Sequence, residues 1–158
     1  HLFGNVVRTY SDSIFKYPPP LHRDTKEVLD QLKFDGYTIG LISNTAMTPG
    51  VTFRKYMSNM GILSYFDTLT FSDELGVAKP SRQIFLETLD NLGVQPNETV
   101  HVGDHLTTDV LGASRIGMRT IWVQTHGVDS YLAPVQPDFT VTSLGQVPQA
   151  IKHLQDCP

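Results

Sequence analysis

The stretch Thr99–Ala113, TVHVGDHLTTDVLGA, decides the fold. It opens on a β-type run, Thr99-Val100-His101-Val102, and closes that run at Gly103. It then sets two carboxylates, Asp104 and Asp109, ahead of an apolar helical pattern. Open α/β sheets bind their ligands in the crevice beyond the C-terminal ends of the strands, where each strand turns towards a helix. Two acidic side chains converging there suit a hard cation with oxygen ligands, Mg²⁺ above all. The same residues also read as plain structure, with Asp109 capping the helix and Asp104 holding the turn.

Outward from this stretch, strands and helices alternate. On its N-terminal side, Thr38-Ile39-Gly40-Leu41-Ile42 reads as a buried strand and Thr68-Leu69-Thr70-Phe71 as another. Thr48-Pro49, a cap with proline in the first turn, opens a helix that runs to about Met60-Gly61. Ser81 opens a helix with Ile84, Phe85, Leu89 and Leu92 inward, stopped at Gly93, and a further helix is expected over residues 107–116. On the C-terminal side, Thr120-Ile121-Trp122-Val123 and Phe139-Thr140-Val141 read as strands, and Val147–Leu154 as a closing helix. Nearer the N-terminus, Asp24 with Glu27 makes a capping-box pattern ahead of Val28, Leu29 and Leu32, with Gly36 as a stop. Before it, Pro18-Pro19-Pro20 imposes a stiff, extended segment. Strands alternating with helices mean βαβ units, a mostly parallel sheet and right-handed crossovers. The fold class is therefore α/β, with a Rossmann-like three-layer core.

Composition narrows the partners. The chain has 158 residues, long enough for one domain with a sizeable core, with 40% hydrophobic and 18% charged residues and a formal net charge of −4. No basic stripe points to nucleic acid, and no apolar run is long enough for a membrane span. Nothing reads as a signal peptide, and the expected compartment is the cytoplasm. The single cysteine, Cys157, has no partner for an internal disulfide.

In a parallel sheet the residues that follow each strand share one edge. They are Ser43 and Asn44; Ser72 and Asp73, with Lys79 a little later; Asp104 and Asp109; and Gln124, Thr125 and His126. A hydroxyl, backbone N–H groups, an ammonium and two carboxylates suit a phosphate bound with Mg²⁺. Each member has a blander reading, as turn chemistry or as a solvated lysine. His101 and His105 have the spacing of a helical zinc pair, but a strand and Gly103 should turn them apart.

Three motifs together resemble the haloacid dehalogenase (HAD) hydrolase superfamily over about residues 22–142: IGLISN with Ser43, VAKPSRQIF with Lys79, and GDHLTTDVLGASRIGM with Asp104 and Asp109. Their order and spacing resemble the branch with a helical cap between the first and second motifs. The resemblance implies a HAD-like core over 22–158, with 1–21 as the end of a cap and its proline-rich linker. It implies phosphoryl transfer through an aspartyl-phosphate that water hydrolyses. Ser43, with the Asn44 backbone N–H, would bind the phosphoryl group and Lys79 would neutralise its charge. Asp104 would ligate Mg²⁺. Asp109 would act beside the metal or orient Lys79. True dehalogenases need no metal and resemble Ser-Ser-Asn where this chain has Val-Gly-Asp, so Asp104 favours the phosphatase side.

The superfamily's first motif, an apolar strand followed by Asp-x-Asp that supplies the nucleophile, has no match before Ser43. Asp12 has no preceding strand, Asp24 reads as a cap, and Asp30 and Asp35 both fall inside the helical pattern. In the family that strand is central, between the strands ending at Ile42 and Val102. The expectation is a gap there, exposing two apolar edges. Further upstream chain, residues 2–7 (LFGNVV) in a rearranged fold, or another chain are the three candidates to fill it. The 158 residues alone are expected to be inactive, as part of a Mg²⁺-dependent phosphatase of a small phosphorylated metabolite. The rival reading is a HAD-like scaffold working through protein contacts, and haloacid dehalogenase is a third.

Overall fold

The computed structural model describes residues 13–124 and 135–156. Residues 2–7, Thr125, His126 and Cys157, raised above, lie outside the described residues.

Among the described residues, five short strands pair in parallel within two ladders: β1 (Gly40–Ser43), β2 (Thr68–Phe71), β3 (Val100–Gly103), β4 (Arg119–Val123) and β5 (Phe139–Val141). The helices between them are α1 (Thr25–Phe34), α2 (Gly50–Asn59), α3 (Ser72–Leu75), α4 (Arg82–Leu92), α5 (Leu111–Ser114) and α6 (Val147–Asp156). β1 pairs with β2, in register Ser43↔Phe71, and β3, β4 and β5 pair in that order, with Gly103↔Trp122. The two ladders do not join through any described pair. A cavity of about 750 Å³ separates them, lined by Ile39–Ile42 on one side and Val100–Gly103 on the other.

Strand alternation explains the layers. Ile39 and Leu41 face one way, packing with Leu29 of α1 and Tyr56 and Met57 of α2. Ile42 faces the other way, towards Ile84, Phe85 and Leu89 of α4. In β4, Ile121 and Val123 join Val28 of α1 and the apolar stripe of α6, Val147, Ala150, Ile151 and Leu154. Trp122 turns to Leu106 and Val110 on the opposite side. The sheet thus has α1, α2 and α6 on one face and α4 and α5 on the other, the three-layer arrangement expected. Strands covered on both faces read as continuous apolar runs, which is why they stood out in the sequence.

Several local expectations are corrected. Asp24 precedes α1 but has φ 66°, in the left-handed region, and its side chain makes no cap hydrogen bond, so there is no capping box. Pro49 is the cap of α2, not its first residue, and Asp73 supplies the capping carboxylate, accepting from the Gly50 N–H at 3.1 Å. The helix expected over 107–116 comes in two pieces: a π-helical turn, Leu106–Val110, then α5. Leu106, Asp109 and Val110 of the π-helical turn are buried. The proline segment is anchored by Tyr56, whose hydroxyl donates to the Pro19 carbonyl at 2.7 Å. No helix among the described residues is long and apolar enough to cross a membrane.

Candidate active site

The site lies at the C-terminal ends of β1 and β3, at the mouth of the slot between the ladders. Alternate residues of a parallel strand turn their backbone groups to opposite sides. The Ile42 carbonyl accepts from Lys79 Nζ at 3.0 Å. The same Nζ donates to Asp109 Oδ1 at 2.6 Å. The lysine, arriving from the loop before α4, therefore spans the slot mouth from the end of β1 to the turn after β3. Its side chain is 12% exposed and that of Asp109 is 5% exposed, so this is an enclosed ion pair.

Asp109 is held from three sides. His101 Nε2 lies 2.9 Å from Oδ1, and the His105 backbone N–H donates to Oδ2 at 3.2 Å. Burial alone would raise its pKa. The His101 hydrogen bond and the Lys79 charge and hydrogen bond outweigh burial and hold it down at about 2. Gly103 makes the approach possible, because a Cβ there would stand 2.5 Å from the Asp109 Cβ.

Asn44 uses its side chain on the lysine loop rather than on open space. Its Nδ2 donates to the Lys79 carbonyl at 3.0 Å and its Oδ1 accepts from the Lys79 N–H at 2.7 Å. Thr45, next in line, is pinned to the end of β2: its N–H donates to Ser72 Oγ at 2.8 Å and its hydroxyl to Asp73 Oδ1 at 2.7 Å. Ser72 and Asp73, grouped above with the binding edge, thus work as supports of the loop after β1. The Ser43 hydroxyl, at the last residue of β1, makes no hydrogen bond with the described residues.

Asp104 is exposed, and its carboxylate accepts no hydrogen bond from the described residues. Its backbone is fixed instead, with the Trp122 indole N–H donating to the Asp104 carbonyl at 3.0 Å. Among the described residues no three His, Cys, Asp or Glu side chains gather as a metal cage. Mg²⁺ is commonly held by one or two carboxylates with phosphate oxygens and water, and the open carboxylate of Asp104 fits that donor set. Both Asp109 oxygens are already engaged by protein donors, which places that residue on the lysine. His101 and His105 do not converge: the first meets Asp109 and the second bonds Thr107 at 3.0 Å.

Sequence reading grouped Ser43, Asn44, Lys79, Asp104 and Asp109 at one edge; hydrogen bonds join Asn44, Lys79 and Asp109, while Ser43 ends β1 and Asp104 directly follows β3. It did not find the His101 contact, the Asn44 clamp or the Trp122 bond. Alternation along β3 held a signal for the first, since His101 and Gly103 share a face and Asp109 packs on Gly103.

The chain is 36% identical over 125 residues to a glyceraldehyde 3-phosphate phosphatase of Methanopyrus kandleri, covering 78% of this chain and 51% of that protein. It is 30% identical over 138 residues to the N-acylneuraminate-9-phosphatase of Rattus norvegicus, covering 87% and 54%. The chain spans about half the length of the curated relatives it matches. The crystal structure of a HAD phosphatase from Thermococcus onnurineus superposes with a TM-score of 0.80 at 31% identity, covering 90% of this chain and 64% of that one. Residues 2–123 match the family model described as haloacid dehalogenase-like hydrolase, and the chain belongs to that family.

Proposed function

We propose that the protein is a Mg²⁺-dependent phosphatase that hydrolyses a small phosphate monoester through an aspartyl-phosphate. The observation that carries this reading is Lys79, an enclosed ammonium fixed by Asp109 and the Ile42 carbonyl at the mouth of the slot. A lysine bonded in this way has one N–H left, directed by its other two contacts, with which to meet a phosphoryl oxygen. The Ser43 hydroxyl binds a second oxygen of the same group. Asp104 would hold Mg²⁺, which, when bound, offsets charge on the phosphate.

The attacking carboxylate belongs at the C-terminal end of a further parallel strand that fills the slot between β1 and β3. Further residues of the same polypeptide or another chain supply it. Its oxygen bonds to phosphorus as the alcohol leaves, and water then releases inorganic phosphate and restores the carboxylate. The relatives named glyceraldehyde 3-phosphate phosphatase and N-acylneuraminate-9-phosphatase are named for phosphates of different compounds. This supports a substrate defined at this site by its phosphate.

The test is to assay the full-length protein in parallel for phosphate release from a panel of small sugar and polyol phosphates and for halide release from 2-haloacids. Phosphate release without halide release is expected. Halide release that survives Asp104→Asn would overturn the reading.

A further inference from the structure

We propose that His101 is a positioning residue of this site: its imidazole holds the Asp109 carboxylate in the orientation that keeps the Lys79 ammonium turned to the phosphate. The proposal rests on the phosphatase reading above and adds a residue to it.

The geometry is that of a chain of contacts. Lys79 Nζ and His101 Nε2 meet the same oxygen, Asp109 Oδ1, at 2.6 and 2.9 Å. A carboxylate at this pH only accepts, so the contact requires a proton on Nε2. Oδ2 is taken by the His105 N–H. With both oxygens engaged, the carboxyl plane cannot turn about its side-chain bond without breaking a contact, and Asp109 is only 4% exposed. Without His101, Oδ1 would be held by the lysine alone, and the carboxylate, tied otherwise only at Oδ2 by the His105 N–H, could turn and draw Nζ from its place at the Ile42 carbonyl. The loose end would then be the ammonium, whose position matters for the transferring phosphoryl group.

The imidazole is itself held. Its ring meets Phe85 of α4 edge-on, with centroids 5.2 Å apart and planes at 78°. Its side chain is 11% exposed. The strand position needs only a side chain that fills this space over Phe85, which methionine or phenylalanine would do. The nitrogen aimed at Asp109 is what packing alone does not call for.

The experiment compares three variants of the full-length protein. His101→Gln places an amide N–H close to where Nε2 sits. His101→Met and His101→Phe fill the space without a donor. The readouts are kcat and KM for a phosphate monoester, and the NMR signal of the Lys79 ammonium. The donor-free variants are expected to lower kcat about 10-fold with KM within about twofold, as small misplacements of a working group do. They are also expected to shift or broaden the Lys79 signal, while His101→Gln keeps both near wild type. If Gln falls as far as Met and Phe, the residue is packing only and the proposal is overturned. A wild-type Lys79 signal in a folded donor-free variant overturns it equally. Should the full-length protein hydrolyse no phosphate monoester, the phosphatase reading fails, and the NMR comparison alone still decides whether His101 orders Lys79.

Discussion

At the scale of single residues, the site depends on one buried carboxylate. Asp109 has its pKa held at about 2 in the folded chain, against an ordinary 3.8. A carboxyl with a depressed folded pKa contributes stability that is complete above its unfolded pKa and is lost as pH falls through the folded one. Unfolding followed from pH 6 down to pH 2 should therefore show a loss of stability below about pH 4. This residue's part, on the order of 2 kcal/mol, is missing in Asp109→Asn. The same residue predicts a mutational asymmetry. Asp109→Ala leaves the enclosed Lys79 ammonium without its counter-charge and should cost about 3 kcal/mol in denaturant titrations, whereas Asp109→Ala combined with Lys79→Met should recover much of it. Residue identities at this edge were legible because each follows an apolar run, so type and place could be read together. Contacts such as Asn44 with the Lys79 backbone were not legible, because they join loops 35 positions apart and leave no local pattern.

At the scale of elements, two short segments carry the site's accuracy. The turn from β3 into α5 needs Gly103, because Asp109 packs where a side chain would stand. Gly103→Ala should destabilise the protein by about 1–3 kcal/mol through overpacking, lower the melting temperature, and weaken the Lys79–Asp109 pair. The loop after β1 needs Asp73, whose carboxylate caps α2 at the Gly50 N–H and takes the Thr45 hydroxyl. Burial works against the charge of Asp73, but the Thr45 and Gly50 hydrogen bonds prevail and its pKa is lowered. Asp73→Ala should lower stability by about 1 kcal/mol, as loss of a helix cap does, and loosen Thr45 from β2, measured by thermal unfolding and by amide exchange at residues 44–50. The sequence suggested caps at Asp24 and Thr48 from adjacent residues alone. It could not show that the cap of α2 comes from 23 residues further on. The π-helical turn was hidden because its buried positions, 106, 109 and 110, have the spacing of an ordinary α-helical face.

At the scale of the whole molecule, two parallel ladders face each other across an apolar slot, with the site at one end of it. Alternating strands and helices made the three layers legible, since buried parallel strands are apolar throughout and their helices carry one apolar stripe. The resemblance to the HAD superfamily, and not the periodicity, led to the expectation of a gap between the strands ending at Ile42 and Val102, and the slot lies there. The slot also explains why one lysine can serve both halves: Lys79 is the side chain that bonds β1 on one side and the turn after β3 on the other. The most direct test of the central claim is the rate of phosphate release by the full-length protein, measured against Mg²⁺ concentration for wild type, Lys79→Ala and Asp104→Asn. The account predicts a rate that rises with Mg²⁺ and saturates in wild type and falls about 10²-fold in each variant, as loss of a preorganised charge does. Turnover that is unchanged when Mg²⁺ is chelated, or undiminished in both variants, would contradict it.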